Sequence, residues 1–306
     1  RAYYEAKFVD WLKQHMIEFK DGSHFLKMLN NFANNDDIIE THNAKESTFK
    51  LGHNQFSHMT VEEWRDFVKL GLSRPTNLKK TDSIHSAPAD VSTLSNEVDW
   101  VANGGVTDVK DQGQCGSCWS FSTTGALEGA YYNKFGSLKA FSEQHLVDCD
   151  TYRNGGSDLG CNGGLMDSAF EWIMSNEGLC SEEEYPYISG TTGSRGTCDE
   201  SKCSKDKNVT PVSYTDVQTN SDSALMSALN KQPVSVAIEA DQSSFQLYKS
   251  GVFTASCGTN LDHGVLAVGY GTLDGVDYYK VKNSWSASWG MDGYILLERG
   301  VSQKEG

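Results

Sequence analysis

The stretch Gln112-Gly113-Gln114-Cys115-Gly116-Ser117-Cys118-Trp119-Ser120-Phe121 decides how the 306-residue chain is read. Cys118, Phe121, Leu127, Ala130 and Tyr131, with Ala126 between them, fall at helical spacing, so a helix starts near Cys118. Free backbone N–H groups and the positive end of the helix dipole favour a thiolate over a thiol there, as a nucleophilic cysteine requires. Cys115 and Cys118 also form a C-x-x-C pair, and that spacing suits a redox or zinc half-site as well. On these ten residues alone both readings stand.

A thiol nucleophile needs a base. His263 is one of two histidines after residue 93 and opens the apolar run H-G-V-L-A-V-G-Y at 263–270. An imidazole in that role needs its other nitrogen fixed, which the side-chain oxygen of Asn283, ending the strand pattern at 277–283, could do, with Trp285 shielding the bond from water. Gln112, six residues before Cys118, could aim its amide at a developing oxyanion beside the backbone N–H of Cys118. Taken singly, each reads more naturally as a satisfied structural residue; with the 112–121 stretch, the balance turns to catalysis.

The surroundings of these residues are α+β. Helical spacing recurs from Leu165 through Ala169, Phe170 and Ile173, and glycine-rich loops such as Cys161-Asn162-Gly163-Gly164 lie between the helices. After Pro211 strand patterns follow at 233–238, 263–270, 277–283 and 293–298. A helical half at about 106–210 and an antiparallel β half at about 211–306 would leave a cleft between them, a natural place for a site.

The first part differs in kind. Phe8, Trp11, Leu12, Met16 and Phe19 predict an amphipathic helix within 3–21, and Phe25, Met28, Leu29, Phe32 and Ile39 a second. A short strand is expected at Thr48–Leu51; Thr60 and Glu63 then make a capping box, and Met59 with Trp64 a hydrophobic staple, for a helix that Gly71 stops. Residues 73–96 carry Ser, Thr, Asp, Ala and Pro without periodicity and read as an exposed linker, the kind of segment proteases nick, with the end of a removable segment expected between Ala89 and Asn96. Residues 1–93 carry 12 basic and 13 acidic side chains and six of the eight histidines; residues 94–306 carry 14 and 28, and all eight cysteines. The net charge of −15 argues against nucleic acid and anionic membranes as partners, and no apolar run approaches the roughly 20 residues of a membrane span.

Collinear motifs run through nearly the whole chain: V-D-W at 98–100, Q-G-Q-C-G-S-C-W-S-F-S at 112–122, Phe141-Ser142-Glu143-Gln144, G-C-N-G-G at 160–164, Y-P-Y at 185–187, F-Q-L-Y at 245–248, D-H-G-V at 262–265 and K-N-S-W at 282–285. The sequence thereby resembles a papain-family cysteine protease of the cathepsin-L-like branch, in its proenzyme form. The resemblance implies Cys118 as nucleophile, His263 as its ion-pair partner and general acid/base, Asn283 as orienter and Gln112 as oxyanion donor. It implies a papain-like two-domain fold, helical on one side and an antiparallel β-barrel-like half on the other, behind a small helical prodomain. The expected division is 1–72 prodomain, 73–93 propeptide linker and 94–306 peptidase.

In the prosegment Phe32, Asn35, Ile39 and Asn43 match the branch's E, R, F, N, I, N helix, while His24 and Met28 stand where Glu and Arg are usual. Gly52, Asn54 and Phe56 match a following G-x-N-x-F-x-D pattern, with His58 in place of the acid. Such segments run backwards through the cleft and block it. Histidines here should titrate near pH 6, so release in acid would come from charging a buried imidazole.

Implied disulfides join Cys115 to Cys161 and Cys149 to Cys198, which removes the redox reading of C-x-x-C; Cys180 and Cys203 are extra and are expected to pair with each other, exchange with the Cys149 or Cys198 pairing being the alternative. Cys257 would pair with a cysteine of a C-G motif beyond Gly306, so the sequence is expected to stop short of the family's C-terminus. Gly163 and Gly164 would offer backbone to an extended peptide, Leu165, Met166, Ala237 and Leu261 match positions around the dominant subsite, and all four being apolar, bulky apolar side chains should be preferred. Trp285 joins the substrate-binding set. No cofactor or metal is implied. The expected partners are protein and peptide substrates, the prosegment and cystatin-like inhibitors; a monomer is expected, secreted or in a lysosome- or vacuole-like acidic compartment where disulfides form. A peptide ligase or transpeptidase on the same acyl-enzyme is an alternative, and Ser286, where Gly is usual, keeps open a non-catalytic binding protein on this scaffold.

Overall fold

The computed structural model describes residues 2–73, 81 and 83–301. It opens with α1 (Ala2–His15) and α2 (Gly22–Asn43), whose buried faces meet: Phe8, Trp11 and Leu12 pack with Met28, Leu29 and Phe32 in one apolar cluster. Asp21 caps α2 by accepting from His24 N. The first helix ends earlier than its apolar spacing suggests. Met16 takes a positive φ of 52°, and Met16 and Phe19 are 88% and 48% exposed, because residues 16–21 carry the chain over to α2.

Then come β1 (Phe49–Leu51) and α3 (Val61–Val68), whose capping box is formed in both directions between Thr60 and Glu63. This helix stops at Lys69, in the left-handed conformation at φ 42°, two residues before the glycine that reads as its terminator. Gly71 serves packing instead: a Cβ there would lie 2.1 Å from the Gly116 carbonyl oxygen.

The rest of the chain runs β2 (Ile84–His85), β3 (Val98–Asp99), α4 (Cys118–Phe135), α5 (Glu143–Cys149), α6 (Met166–Ser175), α7 (Ser189–Thr192), β4 (Asp216–Val217), α8 (Asp222–Leu229), β5 (Val234–Ile238), α9 (Ser243–Gln246), β6 (Tyr248–Phe253), β7 (His263–Leu273), β8 (Val276–Lys282) and β9 (Tyr294–Glu298). Of the expected linker, residues 74–80 and 82 lie outside the described residues, as do 302–306. The remainder of the linker adds β2 beside β4 as a parallel pair.

The main sheet has seven strands in the order β1-β6-β9-β8-β7-β3, with β5 also on β7. Its pairs are antiparallel except β6 with β9, which is parallel and departs from the all-antiparallel expectation. Two of its strands, β1 and β3, come from outside residues 211–306. Helix α4 packs on β7 on one side and α6 on the other, and Ser122 on α4 donates to the Val265 carbonyl at 2.7 Å. The helical and β halves therefore meet along α4, with the first residue of α4 beside the first residue of β7. Disulfides Cys115–Cys161, Cys149–Cys198 and Cys180–Cys203 brace the helical half.

Candidate active site

Cys118 is the first residue of α4 and fully buried. Its N-cap, Ser117, makes no side-chain cap bond to the helix; its hydroxyl is instead 2.7 Å from Tyr187 Oη. Cys118 thus keeps the helix-terminal environment that the spacing predicts. His263 starts β7, and the next residue, Gly264, donates its backbone N–H to Cys118 Sγ at 3.3 Å.

His263 Nε2 is 2.8 Å from Asn283 Oδ1, just past the end of β8. That oxygen also accepts from Ser284 N at 2.8 Å. An oxygen can only accept, so Nε2 carries the proton and Nδ1 is left as the basic nitrogen, buried and with no hydrogen-bond partner among the described residues. Trp285 stacks on the imidazole with centroids 4.9 Å apart at 25°, and is itself edge-packed by Trp289, Phe245 and, from the N-terminal segment, Trp64 and Phe56.

Gln112 is held from its oxygen side by Ser284 Oγ, which donates to Oε1 at 2.7 Å. Its Nε2 donates to the Cys115 carbonyl at 3.0 Å and to the Val68 carbonyl at 3.1 Å. The second acceptor belongs to the N-terminal segment. That segment continues onto the glycine strand: Gly164 N donates to the Gly71 carbonyl at 3.0 Å, Ser73 N to the Gly164 carbonyl at 3.1 Å, and Leu72 N to the Asp262 carbonyl at 3.0 Å. Leu72 and Gly164 pair in the parallel sense. Gly163, at φ 109°, leaves no room for a side chain, since a Cβ would stand 2.9 Å from the Gly71 carbonyl oxygen.

Cys118, His263, Asn283, Gln112, Gly163, Gly164 and Trp285 are therefore gathered at one place. Met166 is beside them, its sulfur 3.0 Å from where a Cβ on Gly264 would be, and Leu72 packs on the cluster that holds Met166 and Trp119. Leu165, Ala237 and Leu261 are half-buried on flanking elements: Leu165 precedes α6, Ala237 pairs with Gly264 in register, and Leu261 lies two residues before His263.

Burial sets the charges. The Cys118 thiol is pushed up to about 11 by burial, against the pull of the Gly264, Gly71 and Trp119 backbone N–H groups. Burial also brings His263 down to about 4, against the bond to Asn283. Covered by residues 68–73, the pair is neutral thiol and neutral imidazole. Asp262 is pushed up to about 6, mainly by burial and then by Asp241 and Glu239. The occupants Val68 and Leu72 and the brace Ser284 were not singled out from the sequence; only the apolar Leu70-Gly71-Leu72 triplet hints at a segment fit for a cleft.

The model of the papain family cysteine protease matches residues 94–306, and that of the cathepsin propeptide inhibitor domain matches residues 8–64. The chain is 47% identical over 305 residues to the probable cysteine protease RD21B of Arabidopsis thaliana, covering 99% of this chain and 63% of that protein. It is 46% identical over 283 residues to the cysteine proteinase COT44 of Brassica napus, covering 90% of this chain and 84% of the other. The chain thus spans less than two thirds of the length of the first of these relatives. Among solved structures, a recombinant stem bromelain precursor matches with a TM-score of 0.82 at 37% identity, over 98% of this chain and 93% of that one. A digestive procathepsin L 3 of the Tenebrio molitor larval midgut matches with a TM-score of 0.83 at 35% identity, over 97% and 94%.

Proposed function

The chain belongs to the papain family of cysteine proteases, and on that premise we propose that it is the zymogen of an endopeptidase: residues 1–72 an inhibitory prodomain, 73–93 its connection and 94–306 the peptidase. Once the cleft is open to water, Cys118 passes its proton to Nδ1 of His263, and the thiolate attacks the scissile carbonyl carbon. The oxyanion is held by Gln112 Nε2 and the backbone N–H of Cys118. The imidazolium then protonates the leaving amine, and a water activated by the same imidazole releases the acyl group from sulfur. Asn283 keeps the ring in the required tautomer.

The observation that carries this reading is the peptide already in the cleft. Backbone of residues 68–73 bonds to Gln112 and to both polar groups of Gly164, the contacts an extended peptide substrate would make as an added strand. Leu72, packed on the apolar cluster that includes Met166, supports a preference for bulky apolar side chains, with Leu165, Ala237 and Leu261 completing the subsite. The prosegment is its own chain's inhibitor. Three disulfides favour an oxidising compartment, secreted or lysosome- or vacuole-like, where acid would release the cover. Monomeric action and inhibition by cystatin-like proteins belong to the same reading. Acid incubation followed by a thiol-directed epoxide and mass mapping tests it: an adduct at Cys118 is expected, and none after prosegment removal ends the enzyme reading.

A further inference from the structure

We propose that a proton shared between Asp150 and Asp158 holds the loop carrying the substrate strand, which makes Asp158 a positioning residue for Gly164. The proposal rests on the reading of Gly164 as a peptide-binding residue. Asp150 ends α5 as its C-cap, and Asp158 lies in the loop that leads to Gly163. The two residues are 0% and 2% exposed.

One oxygen of each carboxyl has a partner. Asp150 Oδ1 accepts from Ser157 N at 3.3 Å, and Asp158 Oδ1 accepts from Leu165 N at 2.9 Å. Both remaining oxygens are buried and find no donor among the described residues. Ser157, whose N–H bonds Asp150, immediately precedes Asp158, so the two buried carboxyls lie together, and each acts on the other's proton affinity. A carboxylate only accepts, so one member of a carboxyl pair in contact must carry a hydrogen. Burial and the neighbouring acid both raise the proton affinity of Asp150.

The surrounding charges do not replace that hydrogen. Arg195 lays its aliphatic stem on Gly160, Arg153 is exposed, and Asp148 of α5 faces Tyr185 Oη and Gly196 N. At Asp158 only burial, Asp150 and Leu165 N act.

The pair bears directly on the strand. A Cβ on Gly156 would stand 1.9 Å from Asp150 Oδ1, and a Cβ on Gly164 2.6 Å from Asp158 Oδ1 and 2.7 Å from Trp119 Cδ2. Gly164 is thus wedged between the acid pair and the residue next to Cys118. Loss of the proton would set two like charges together without a counter-ion and push this loop outward.

The test uses the full chain in a Cys118→Ser background, which cannot process itself, with and without Asp158→Asn. The amide keeps an acceptor for Leu165 N and gives Asp150 an N–H donor, so no shared proton is needed. The pair's proton is bound more tightly folded than unfolded, so its stabilisation is full at low pH and lost as pH rises. One such proton makes the unfolding constant grow up to about tenfold per pH unit. Between about pH 5 and 8 the parent is expected to show one proton more of slope than Asp158→Asn; equal slopes overturn the proposal. If Asp158→Asn fails to fold, the mirror variant Asp150→Asn decides the same comparison. In processed enzyme, KM for a peptide should climb with pH in the parent and stay flat in Asp158→Asn, and coincident KM profiles also overturn it. Failure of the peptidase reading shows separately, as an unlabelled Cys118, and leaves the unfolding slopes readable.

Discussion

Gln112 Nε2 donates to the backbone carbonyl of Val68 at 3.1 Å, so the amide proposed to hold an oxyanion already holds a carbonyl oxygen of the chain's own N-terminal segment. On the proposed mechanism, inhibition and catalysis would draw on the same donor.

Replacing that donor should therefore hurt chemistry more than binding. Gln112→Ala in the processed enzyme is expected to lower kcat by about 10²–10³-fold, as loss of one oxyanion donor does elsewhere, with KM little changed. Steady-state kinetics on a peptide substrate checks it; a fall confined to KM would reassign Gln112 to ground-state binding.

Gly71→Ala should loosen the cover without touching the peptidase part. The new Cβ would meet the Gly116 carbonyl 2.1 Å away, displacing the two bonds to Gly164. At about 1 kcal/mol each, their loss favours the uncovered form about 30-fold. The readout is the rate at which intact chain labels at Cys118, and a rate equal to that of the parent would show that Gly71 does not seat the segment.

The buried pair predicts a pH signature. With the thiol at about 11 and the imidazole at about 4, the intact chain should alkylate slowly around neutrality and gain about tenfold per pH unit only on the alkaline side, where the thiol ionises. The processed enzyme, its pair open to water, should already react in mild acid. Alkylation rates across pH decide the matter: a plateau near pH 6 in intact chain would mean that the pair ionises beneath the cover.

Acid release points to His58. Burial brings it from 6.5 down to about 4, with Glu63 opposing and His24 and His15 adding to the effect; the Trp11 ring lies 5.2 Å away. The folded segment keeps this imidazole neutral, whereas the opened segment would take up a proton below 6.5. Its contribution to closure is thus whole above that pH and drains away as pH falls toward 4, by up to about tenfold per unit. His58→Asn should flatten self-activation across that window, followed by gel analysis of processing against pH. An unchanged profile would exclude His58 as the trigger.

Much of this arrangement could be read ahead of the structure, and the exceptions have physical reasons. Apolar strand patterns place His263 at the start of β7 and Asn283 just past the end of β8, and the Thr60–Glu63 capping box is a purely local signal. Helix α5 left no amphipathic trace because all seven of its residues are buried. The parallel contact of β6 with β9 depends on partners more than 40 positions apart, which no local pattern encodes. Burial also overrode solution chemistry: His15, His53 and His58, expected near pH 6, are all lowered by desolvation. Asp150 and Asp158 gave no pattern at all, since their pairing exists only once the loop between them closes.

Strand β1 supplies the outermost ladder of the main sheet, pairing Phe49–Leu51 with Tyr248–Gly251 on β6. Cutting the linker and losing the segment strips that ladder and bares the N–H and C=O groups of β6 to any passing strand. The molecule that leaves is not the molecule that assembled. On the zymogen reading, the peptidase left behind would last only as long as it comes apart slowly, since the edge against which it was built would no longer be there to guide it back.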